Sequence, residues 1–323
     1  MDRKKKIVIA GGCYNEAENI EELYSRCCKA AEPLSSRYDF EFLFTDNCST
    51  DGTREIIRKL AAKDKRVRAI FNAANYGHIR SPFYGLTQAE GDAVINMCTD
   101  LQDPPEMIPD MIREWEKGAK VVVAVRAETD CGFLMESVRR FYYYLLRKAA
   151  PHENIISGFT GFGLYDRSFM EALKLFHEPY PYFRGLVSEI GLKRVELPFH
   201  QPKRQHGVTK NNFFTLYDMA MTGFVNHTKL PLRLAVFTGI VTGIASFLIA
   251  LTYLVLKLLY WDTFSFGMAP VMIGIFFLGA VQLIFIGIIG EYLGAVWTQV
   301  KNRPLVVEEE RINFDDEEKP ASK

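Results

Sequence analysis

Two short acidic segments carry the residue types that bind metal ions and nucleotides. One of them runs from Cys98 to Glu106, directly after an apolar stretch with the pattern of a buried strand. Asp100 offers a carboxylate there, and Gln102 offers an amide oxygen two residues later. Oxygen ligands of this kind suit a hard divalent cation that also holds phosphate groups. The segment therefore predicts a metal site.

The other acidic segment, from Asp46 to Thr53, follows a predicted strand and opens a predicted helix. Asp46 could contact a ribose or a base there, while Ser49 and Thr53 cap the helix. The alternative is a plain strand-turn-helix connection with an N-cap. The segment alone does not decide between the two.

Strand-like and helix-like segments alternate through the first two hundred residues, and they must position these side chains. Strands are predicted at 7–10, 40–45, 67–71, 93–98 and 120–125, and helices at 19–31, 53–62, 81–89 and 105–117. Strands separated by single helices predict right-handed crossovers and a mostly parallel sheet, an α/β fold. Ligands of such sheets bind beyond the carboxyl ends of the strands, so both acidic segments fall where chemistry is expected.

The charges of the chain balance overall but are unevenly distributed. The 323 residues include 39 basic and 39 acidic side chains, which argues against binding nucleic acid through bulk electrostatics. Between Ala235 and Trp297 the charged residues are Lys257, Asp262 and Glu291 alone. So long an apolar stretch excludes a purely soluble protein. The six cysteines lack the spacing of a zinc site.

Two segments of this apolar region are long enough to cross a membrane as helices. They run from Ala235 to Leu256 and from Met268 to Trp297, and the short connection between them predicts a hairpin. The alternative is a helical hairpin buried in a soluble core. Basic residues lie on the outer sides of the pair, at Lys229, Arg233, Lys301 and Arg303. The positive-inside rule therefore predicts that both termini are cytoplasmic.

The remaining segments complete the predicted organisation. Residues 1–208 are expected to form the sheet domain, 233–299 the transmembrane helices, and 300–323 a cytosolic tail, disordered from Glu308 onwards. Residues 209–232 are typical of an amphipathic helix in the membrane interface, or of an ordinary domain-packing helix. The apolar run near the N-terminus is too short for a secretory signal, so the N-terminal region is expected in the cytosol. Glycines in the second span hint at a homo-oligomer.

A series of motifs, in order along nearly the whole chain, resembles glycosyltransferase family 2. Within that family they are most similar to the polyprenyl-phosphate glycosyltransferases, which include dolichol-phosphate mannose synthases and bactoprenol glucosyltransferases. The motifs are Tyr14-Asn-Glu-Ala-Glu-Asn-Ile, Ser49-Thr-Asp-Gly-Thr, Asn75-Tyr-Gly, Gly91-Asp-Ala-Val-Ile, Asp100-Leu-Gln-Asp-Pro-Pro-Glu, Phe183-Arg-Gly-Leu-Val, Gly207-Val-Thr-Lys, Pro231-Leu-Arg-Leu, and Gly290-Glu-Tyr-Leu-Gly through Lys301-Asn-Arg-Pro-Leu. Each alone is weak, and together they are highly specific.

The resemblance implies a GT-A-type, Rossmann-like catalytic domain followed by the transmembrane hairpin. It also implies a nucleotide-sugar donor, a polyprenyl phosphate acceptor and Mg²⁺ or Mn²⁺ held by Asp100 and Gln102. Nucleotide-sugar contacts carry over to Asn15, Glu16, Glu18, Asp46, Ser49, Asn75, His78, Asp100, Arg204 and Lys210. Arg126, Arg139 and Arg140 resemble the basic residues that receive the acceptor phosphate, and Asp100 and Arg126 are expected to be catalytic.

Some of these assignments have plain alternatives. Arg139 and Arg140 could form a solvated helix face or a basic membrane-facing patch. Arg204 and Lys210 could contact lipid headgroups instead of closing over the donor. His78 stands where relatives often have a lysine, and it could equally be a surface or helix-capping residue.

The chain departs from the family pattern at three places. Cys98 replaces the first carboxylate of Asp-x-Asp, Asn47-Cys48 replaces Asp-Gly, and Gly161-Phe162-Gly163 replaces Asp-Phe-Arg. The last change removes both an acid and a base from one motif, so it could be a compensated change. It leaves the identity of the transferred sugar undecided. An acceptor phosphate is already ionised and needs little help from a general base. We therefore expect an active enzyme.

These observations predict an inverting enzyme of the inner membrane that serves cell-envelope glycan biosynthesis. It would transfer one sugar from UDP-glucose, GDP-mannose or a similar donor to a polyprenyl phosphate, such as undecaprenyl phosphate, at the cytosolic face. The alternatives are a catalytically impaired membrane scaffold of the same fold and a related glycosyltransferase with a different lipid acceptor. A processive polysaccharide synthase would need more membrane helices and a Gln-x-x-Arg-Trp motif, which the chain lacks.

Overall fold

A single mixed β-sheet organises the part of the protein that precedes the apolar helices. The computed structural model describes residues 3–127, 156, 158–202, 230–260, 268–301 and 303–314. The strands are β1 (Lys5–Cys13), β2 (Tyr38–Asp46), β3 (Val67–Asn72), β4 (Ala93–Cys98), β5 (Val121–Arg126), β6 (Phe159–Asp166), β7 (Arg194–Phe199) and β8 (Glu308–Ile312). They lie in the order β7-β5-β6-β4-β1-β2-β3-β8.

The helices follow the strands in the alternation that the sequence predicts. They are α1 (Ile20–Ala31), α2 (Thr53–Lys63), α3 (Gly77–Thr87), α4 (Ile108–Glu116), α5 (Arg167–Leu173) and α6 (Phe183–Glu189). The predicted helices are confirmed, with α3 beginning at Gly77, four residues before the predicted start at Ser81. The predicted strands are confirmed as well, and β1 and β2 extend beyond their predicted ends.

Both faces of the sheet are covered, so the central strands are apolar on both sides. Ile7 and Ile9 of β1 belong to one core cluster, which includes Leu23 of α1. Val8 and Ala10 belong to a second cluster, on the face covered by α3, α5 and α6. Successive side chains of a strand point to opposite faces. The continuous apolar pattern of β1 thus follows from a strand buried between two helical layers.

The parallel strands end together at one edge of the sheet. β1 is parallel to β2 and to β4, and Cys13 pairs with Asp46 while Gly12 pairs with Cys98. β3 continues the parallel set beside β2. The segments that follow β1, β2 and β4 therefore start within a few ångströms of one another. The expectation that both acidic segments lie beyond the carboxyl ends of parallel strands is confirmed.

Two strands reverse direction on the other side of the sheet. β6 is antiparallel to β4 and to β5, and β7 is parallel to β5. Because β6 runs backwards, its first residues lie beside the carboxyl ends of β4 and β5. Gly161, at the third position of β6, is thereby placed near the same edge as the acidic segments.

The expectation of a disordered segment from Glu308 onwards is wrong for Glu308–Ile312. These residues form β8, which pairs antiparallel with β3 at the outer edge of the sheet. Arg311 reaches Glu308 and Gln88, and the ring of Phe314 lies under the guanidinium of Arg68. The high charge suggested a solvated tail, whereas Glu309 and Glu310 pair with Arg54 and Arg58, far away in sequence. Residues 315–323 lie outside the described part.

Two long apolar helices, α7 (Leu230–Leu259) and α8 (Met268–Lys301), form a separate compact unit. Leu232–Leu259 and Ile273–Lys301 have mean hydropathies of 2.3 and 2.4, and they are long and apolar enough to cross a membrane. None of the most apolar stretch of either helix is buried inside the protein. This exposure contradicts the alternative of a hairpin buried in a soluble core. The domain limits and the cytoplasmic termini stay predictions, and 209–229 lies outside the described residues.

Asn313 provides a test of how firmly β8 is held. Its Nδ2 donates to the carbonyl oxygens of Ala61 (2.9 Å) and Val67 (2.8 Å), and its φ is 58°. Asn313→Ala removes both bonds and leaves a residue that disfavours this left-handed backbone. We expect the amide hydrogens of β8 to exchange with deuterium roughly tenfold faster, the equivalent of one or two hydrogen bonds.

Asn313→Gly is the matched control, because it loses the same bonds but tolerates the positive φ. Its exchange should lie between those of the wild type and Asn313→Ala. Unchanged exchange in both variants would show that β8 is anchored elsewhere.

Candidate active site

The segments that follow β1 and β2 hold each other through hydrogen bonds between side chain and backbone. The Asn15 N–H donates to Oγ of Ser49 (2.9 Å), and Oδ1 of Asn15 accepts from the Thr50 N–H (2.8 Å). Asn15 has a φ of 56°, a conformation that a short polar side chain tolerates. The Glu16 N–H donates to Oγ1 of Thr53 (2.9 Å). Three predicted nucleotide contacts, Asn15, Glu16 and Ser49, are thus brought together.

The prediction that Ser49 and Thr53 cap α2 is wrong. Gly52 precedes the helix with a φ of 93° and offers no side chain to cap it. Oδ1 of Asp51 instead accepts from the backbone N–H (3.1 Å) and the hydroxyl (2.6 Å) of Thr53. The two hydroxyls are engaged by the segment after β1, a partner that local sequence does not reveal.

Asp46, at the end of β2, is fully buried and paired with an arginine. Its Oδ2 accepts from Nε of Arg54 (2.6 Å) and from the Ser49 N–H (3.1 Å), while its Oδ1 has no hydrogen-bond partner. Arg54 also donates to Glu309 of β8 (2.7 Å) and to the carbonyl oxygen of Asn72 (2.5 Å). A buried carboxylate needs such partners. The expected contact between Asp46 and a nucleoside stays a prediction.

Asn47 ties the end of β2 to the turn that begins α3. Its Nδ2 donates to Oδ1 of Asn75 (2.8 Å) and to the carbonyl oxygen of Gly77 (3.2 Å). Its Oδ1 accepts from the Tyr76 N–H (2.8 Å). A carboxylate at this position could not donate the first two bonds. The departure from the family pattern at Asn47 therefore has a structural role in this chain.

The segment after β4 presents Asp100 and Gln102 at the same edge of the sheet. The Asp100 side chain is half-exposed, and its Oδ1 accepts from the Gln102 N–H (3.2 Å). Between them, Leu101 has a φ of 62° and a buried side chain, which anchors the turn. Oγ1 of Thr99 donates to the carbonyl oxygen of Gly12 (3.0 Å) and attaches the segment to β1.

The carboxylate of Asp100 and the amide of Gln102 fit a divalent cation that takes its other ligands from a diphosphate and water. Within the described ranges, no three His, Cys, Asp or Glu side chains converge as a metal cluster. Asp103 accepts the Cys98 N–H (2.7 Å), and burial raises the pKa of Asp103 to about 6. The charge of Asp103 raises the pKa of the Cys98 thiol, which is then uncharged at neutral pH. Asp100 is left as the carboxylate of this turn that can meet a cation.

Two arginines bring positive charge to this edge. Arg126 ends β5, and its charge counters part of the rise that burial causes in the pKa of Asp103. The charge of Asp103 chiefly raises the pKa of the Cys98 thiol, and the charge of Arg184, in α6, counters part of that rise. Burial, together with the charge of Arg184, lowers the pKa of His78 in the first turn of α3. His78 is therefore neutral at pH 7.

β6 disfavours side chains at the two positions where the family pattern has Asp and Arg. A Cβ on Gly163 would lie 2.4 Å from the carbonyl oxygen of Val122. Gly161 has a φ of 109°, a conformation that side chains disfavour. Its carbonyl oxygen accepts from Nδ2 of Asn96 and the hydroxyl of Tyr165, each at 2.9 Å. The departure at these positions is thus built into the backbone.

Several predicted site residues are not tested by this geometry. Arg139, Arg140, Arg204 and Lys210 lie outside the described residues. Glu18 is exposed on the turn before α1, where no nucleotide is present to show its role. The functions of these five residues stay predictions, as do the roles of the other predicted site residues.

Comparison with known proteins agrees with the arrangement. Residues 11–174, which run from the end of β1 past β6 and include both acidic segments, match the model of Glycosyl transferase family 2. The chain belongs to this family. It is a glycosyltransferase with a mostly parallel, Rossmann-like sheet of the GT-A type, as the motifs implied.

Individual relatives match this glycosyltransferase over most of its length. It is 32% identical to the uncharacterized glycosyltransferase YkcC of Bacillus subtilis (strain 168), over 95% of this chain and 94% of the relative. It is 31% identical to the SfII prophage-derived bactoprenol glucosyl transferase of Shigella flexneri, over 93% of this chain and 96% of the relative. Among solved structures, it is similar to glucosyl-3-phosphoglycerate synthase from Mycobacterium tuberculosis in complex with Mn²⁺, UDP-glucose and phosphoglyceric acid. That similarity has a TM-score of 0.47 and 16% identity, over 68% of this chain and 78% of the other.

Sequence reasoning missed three residues that the structure places at the site. Arg54 immediately follows the Ser49-Thr-Asp-Gly-Thr motif, and Arg184 lies inside the motif that begins at Phe183. Asp103 belongs to the motif of Asp100. Their motifs were the available signal, but their partners were hidden, since Glu309 is 255 residues from Arg54.

Gly163→Ala tests whether β6 must lack a side chain at this position. The new Cβ would meet the backbone of β5, which cannot move without breaking the sheet. We expect a loss of about 1–3 kcal/mol in stability, measured as a lower thermal unfolding midpoint of the full chain in detergent. Gly243→Ala, in α7, is the control, since nothing lies within 4 Å of its Cβ position. Equal midpoints for the two variants would contradict the steric argument.

Proposed function

We propose that this enzyme transfers a single sugar from a nucleotide-sugar, UDP-glucose-like or GDP-mannose-like, to a polyprenyl phosphate such as undecaprenyl phosphate. One observation carries the proposal. The similarity to a bactoprenol glucosyl transferase extends over 93% of the chain, so it cannot leave out either of the long apolar helices. A shared hairpin beside a shared catalytic domain favours a shared kind of acceptor, one with its hydrocarbon tail in the membrane.

The donor binds, in this proposal, at the carboxyl ends of β1, β2 and β4. The paired segments that contain Asn15, Glu16 and Ser49 hold the nucleoside, together with Glu18, Asp46 and Asn75. Asp100 and Gln102 face the diphosphate. A Mg²⁺ or Mn²⁺ ion bound to these two side chains would offset negative charge on the leaving diphosphate. Arg204 and Lys210 close over the donor, and His78 borders it as a neutral side chain.

The acceptor phosphate needs cations more than it needs a base. It carries about −1.5 to −2 charge at pH 7, so its oxygen is already a nucleophile. Arg126 brings a guanidinium fork to the end of β5, and we propose that Arg139 and Arg140 complete this phosphate site. Positioning two anionic groups against each other is then the main task of the protein.

Transfer proceeds as a single displacement with inversion at the anomeric carbon. An oxygen of the acceptor phosphate attacks that carbon, while the bond from the carbon to the donor diphosphate breaks and its electrons remain on the diphosphate. The departing nucleoside diphosphate takes no proton from the protein. No covalent enzyme intermediate forms in this single displacement.

The reaction takes place at the cytosolic face of the inner membrane. The basic residues outside the two spans support cytoplasmic termini, and a cytosolic catalytic domain has access to nucleotide-sugars. The segment 209–232 contacts membrane lipids in this arrangement. Glycines along α8 leave open surface that suits packing in a homo-oligomer.

Asp100→Asn tests the donor site. It removes the charge that a cation requires but keeps the size of the side chain, so we expect transfer to fall by roughly 100-fold or more. The measurement is lipid-linked sugar detected by mass spectrometry, from purified full-length protein with undecaprenyl phosphate, Mn²⁺ and a panel of nucleotide-sugars.

Asp110→Asn is the control, because this exposed carboxylate of α4 forms a local ion pair with Arg113, three residues later. It should leave transfer unchanged. Full activity of Asp100→Asn would refute the proposed metal role. A wild-type protein that makes no product from any donor would favour the impaired scaffold.

Arg126→Gln tests the acceptor site. Loss of a charged hydrogen-bond donor should raise the KM for undecaprenyl phosphate roughly tenfold or more, while the KM for the nucleotide-sugar changes little. Arg113→Gln, on the exposed surface of α4, should leave both values as they are. A larger effect of Arg126→Gln on the donor than on the lipid would contradict the assignment.

A further inference from the structure

Arg184 is a cation at the active-site edge that has no carboxylate partner in the part of the chain that the structure describes. Its side chain is half-buried, and it takes part in none of the ion pairs formed within the described ranges. Arg54, near the same edge, differs, since it pairs with Asp46 and Glu309. A half-buried guanidinium without an anion loses hydration and gains no pairing energy. A bound anion would supply the missing partner.

The packing of Phe183, the residue before Arg184, determines where Arg184 lies. The ring of Phe183 stacks edge-on against Tyr165 (5.3 Å between centroids) and Phe83 (6.4 Å). Its Cδ1 lies 3.7 Å from the position that a Cβ of Gly161 would occupy. The start of α6 is thereby anchored against β6 at the residues that adjoin the carboxyl end of β4. Arg184 follows directly, beside the segment that carries Asp100.

The charge of Arg184 acts on an element that borders the site. Burial and this charge lower the pKa of His78 at the start of α3. A cation that acts on the first turn of α3 lies near the edge where the parallel strands end, which agrees with the packing of Phe183 beside Gly161.

No side chain of β6 brings a cation to this edge at the two glycines. Gly163 has no space for one, and the backbone at Gly161 disfavours one. The ring of Phe183 occupies the space next to Gly161, and Arg184 is adjacent to that ring. The positive charge on this side of Asp100 therefore comes from α6, while Arg126 supplies charge from β5.

We propose that Arg184 binds a phosphate group of a substrate, as a substrate-binding residue of the proposed transfer reaction. A guanidinium offers paired N–H donors that match two phosphate oxygens. The phosphate belongs either to the diphosphate of the donor or to the polyprenyl phosphate. The inference rests on the proposed function for the identity of these substrates, and separate measurements on each substrate distinguish the two sources.

Arg184→Gln and Arg184→Lys are compared with the wild type in full-length protein. Equilibrium binding of UDP and of GDP, each with MnCl₂, tests the donor arm, and the KM and equilibrium binding of undecaprenyl phosphate test the acceptor arm. Arg184→Gln should weaken binding of either the nucleoside diphosphates or undecaprenyl phosphate roughly tenfold or more, and it should change binding of the other ligand less. Arg184→Lys keeps the charge without the fork, so it should recover part of the loss.

Arg167→Gln is the matched control. Arg167 starts α5 beyond the far end of β6, at the opposite edge of the sheet, where its side chain lies 3.7 Å from Asp92. This variant should bind both ligands as the wild type does. If Arg184→Gln keeps both affinities within twofold of the wild type, the proposal is wrong.

A purely structural role for Arg184 would have a different signature. It would lower the thermal unfolding midpoint and weaken both arms equally, without recovery in Arg184→Lys, and that result also overturns the proposal. The pKa of His78, followed by NMR, should rise in Arg184→Gln once the nearby charge is gone. Should the wild type form no lipid-linked sugar, the proposed function fails, while the binding measurements still decide whether Arg184 holds a phosphate.

Discussion

The parallel pairing of β1 with β2 on one side and β4 on the other is the constraint on which the site depends. Parallel strands present their carboxyl ends at one edge, so three polar segments distant in sequence start side by side there. Antiparallel β6 adds its first residues to the same edge because it runs backwards between β4 and β5. Any other pairing of β1 would separate the Asn15 segment from Asp100.

Charge at this edge is arranged by burial as much as by composition. Asp46 is buried and compensated by Arg54, and Asp103 is buried with a raised pKa, so neither meets solvent as a free carboxylate. Asp100 stays half-exposed. Two anionic substrates would otherwise face strong repulsion from clustered carboxylates. An edge with a half-exposed Asp100, a neutral His78 and arginines contributed by β5 and α6 is suited to holding phosphate groups close together.

β8 extends the site in an unexpected direction. Glu309 binds Arg54, which in turn binds Asp46, so the C-terminal strand shares a hydrogen-bonded chain with the end of β2. Arg58 of α2 likewise forms an ion pair with Glu310 of β8. The strand that follows the second apolar helix in the chain is therefore part of the structure that supports the proposed nucleotide site.

Local sequence by itself determined the succession of strands and helices, the two apolar spans and the places of the acidic segments. Periodicity, turn residues and hydropathy act over a few residues, so they can be recognised without a structure. The motifs around Asn15 and Asp100 also pointed to the correct family. Tertiary structure alone decided that Glu308–Ile312 is a strand, that Ser49 and Thr53 serve the β1 segment, and that Gly163 touches the backbone of Val122. Each of these outcomes depends on a partner that only long-range strand pairing brings near, and charge or propensity within the segment itself carries no record of that partner.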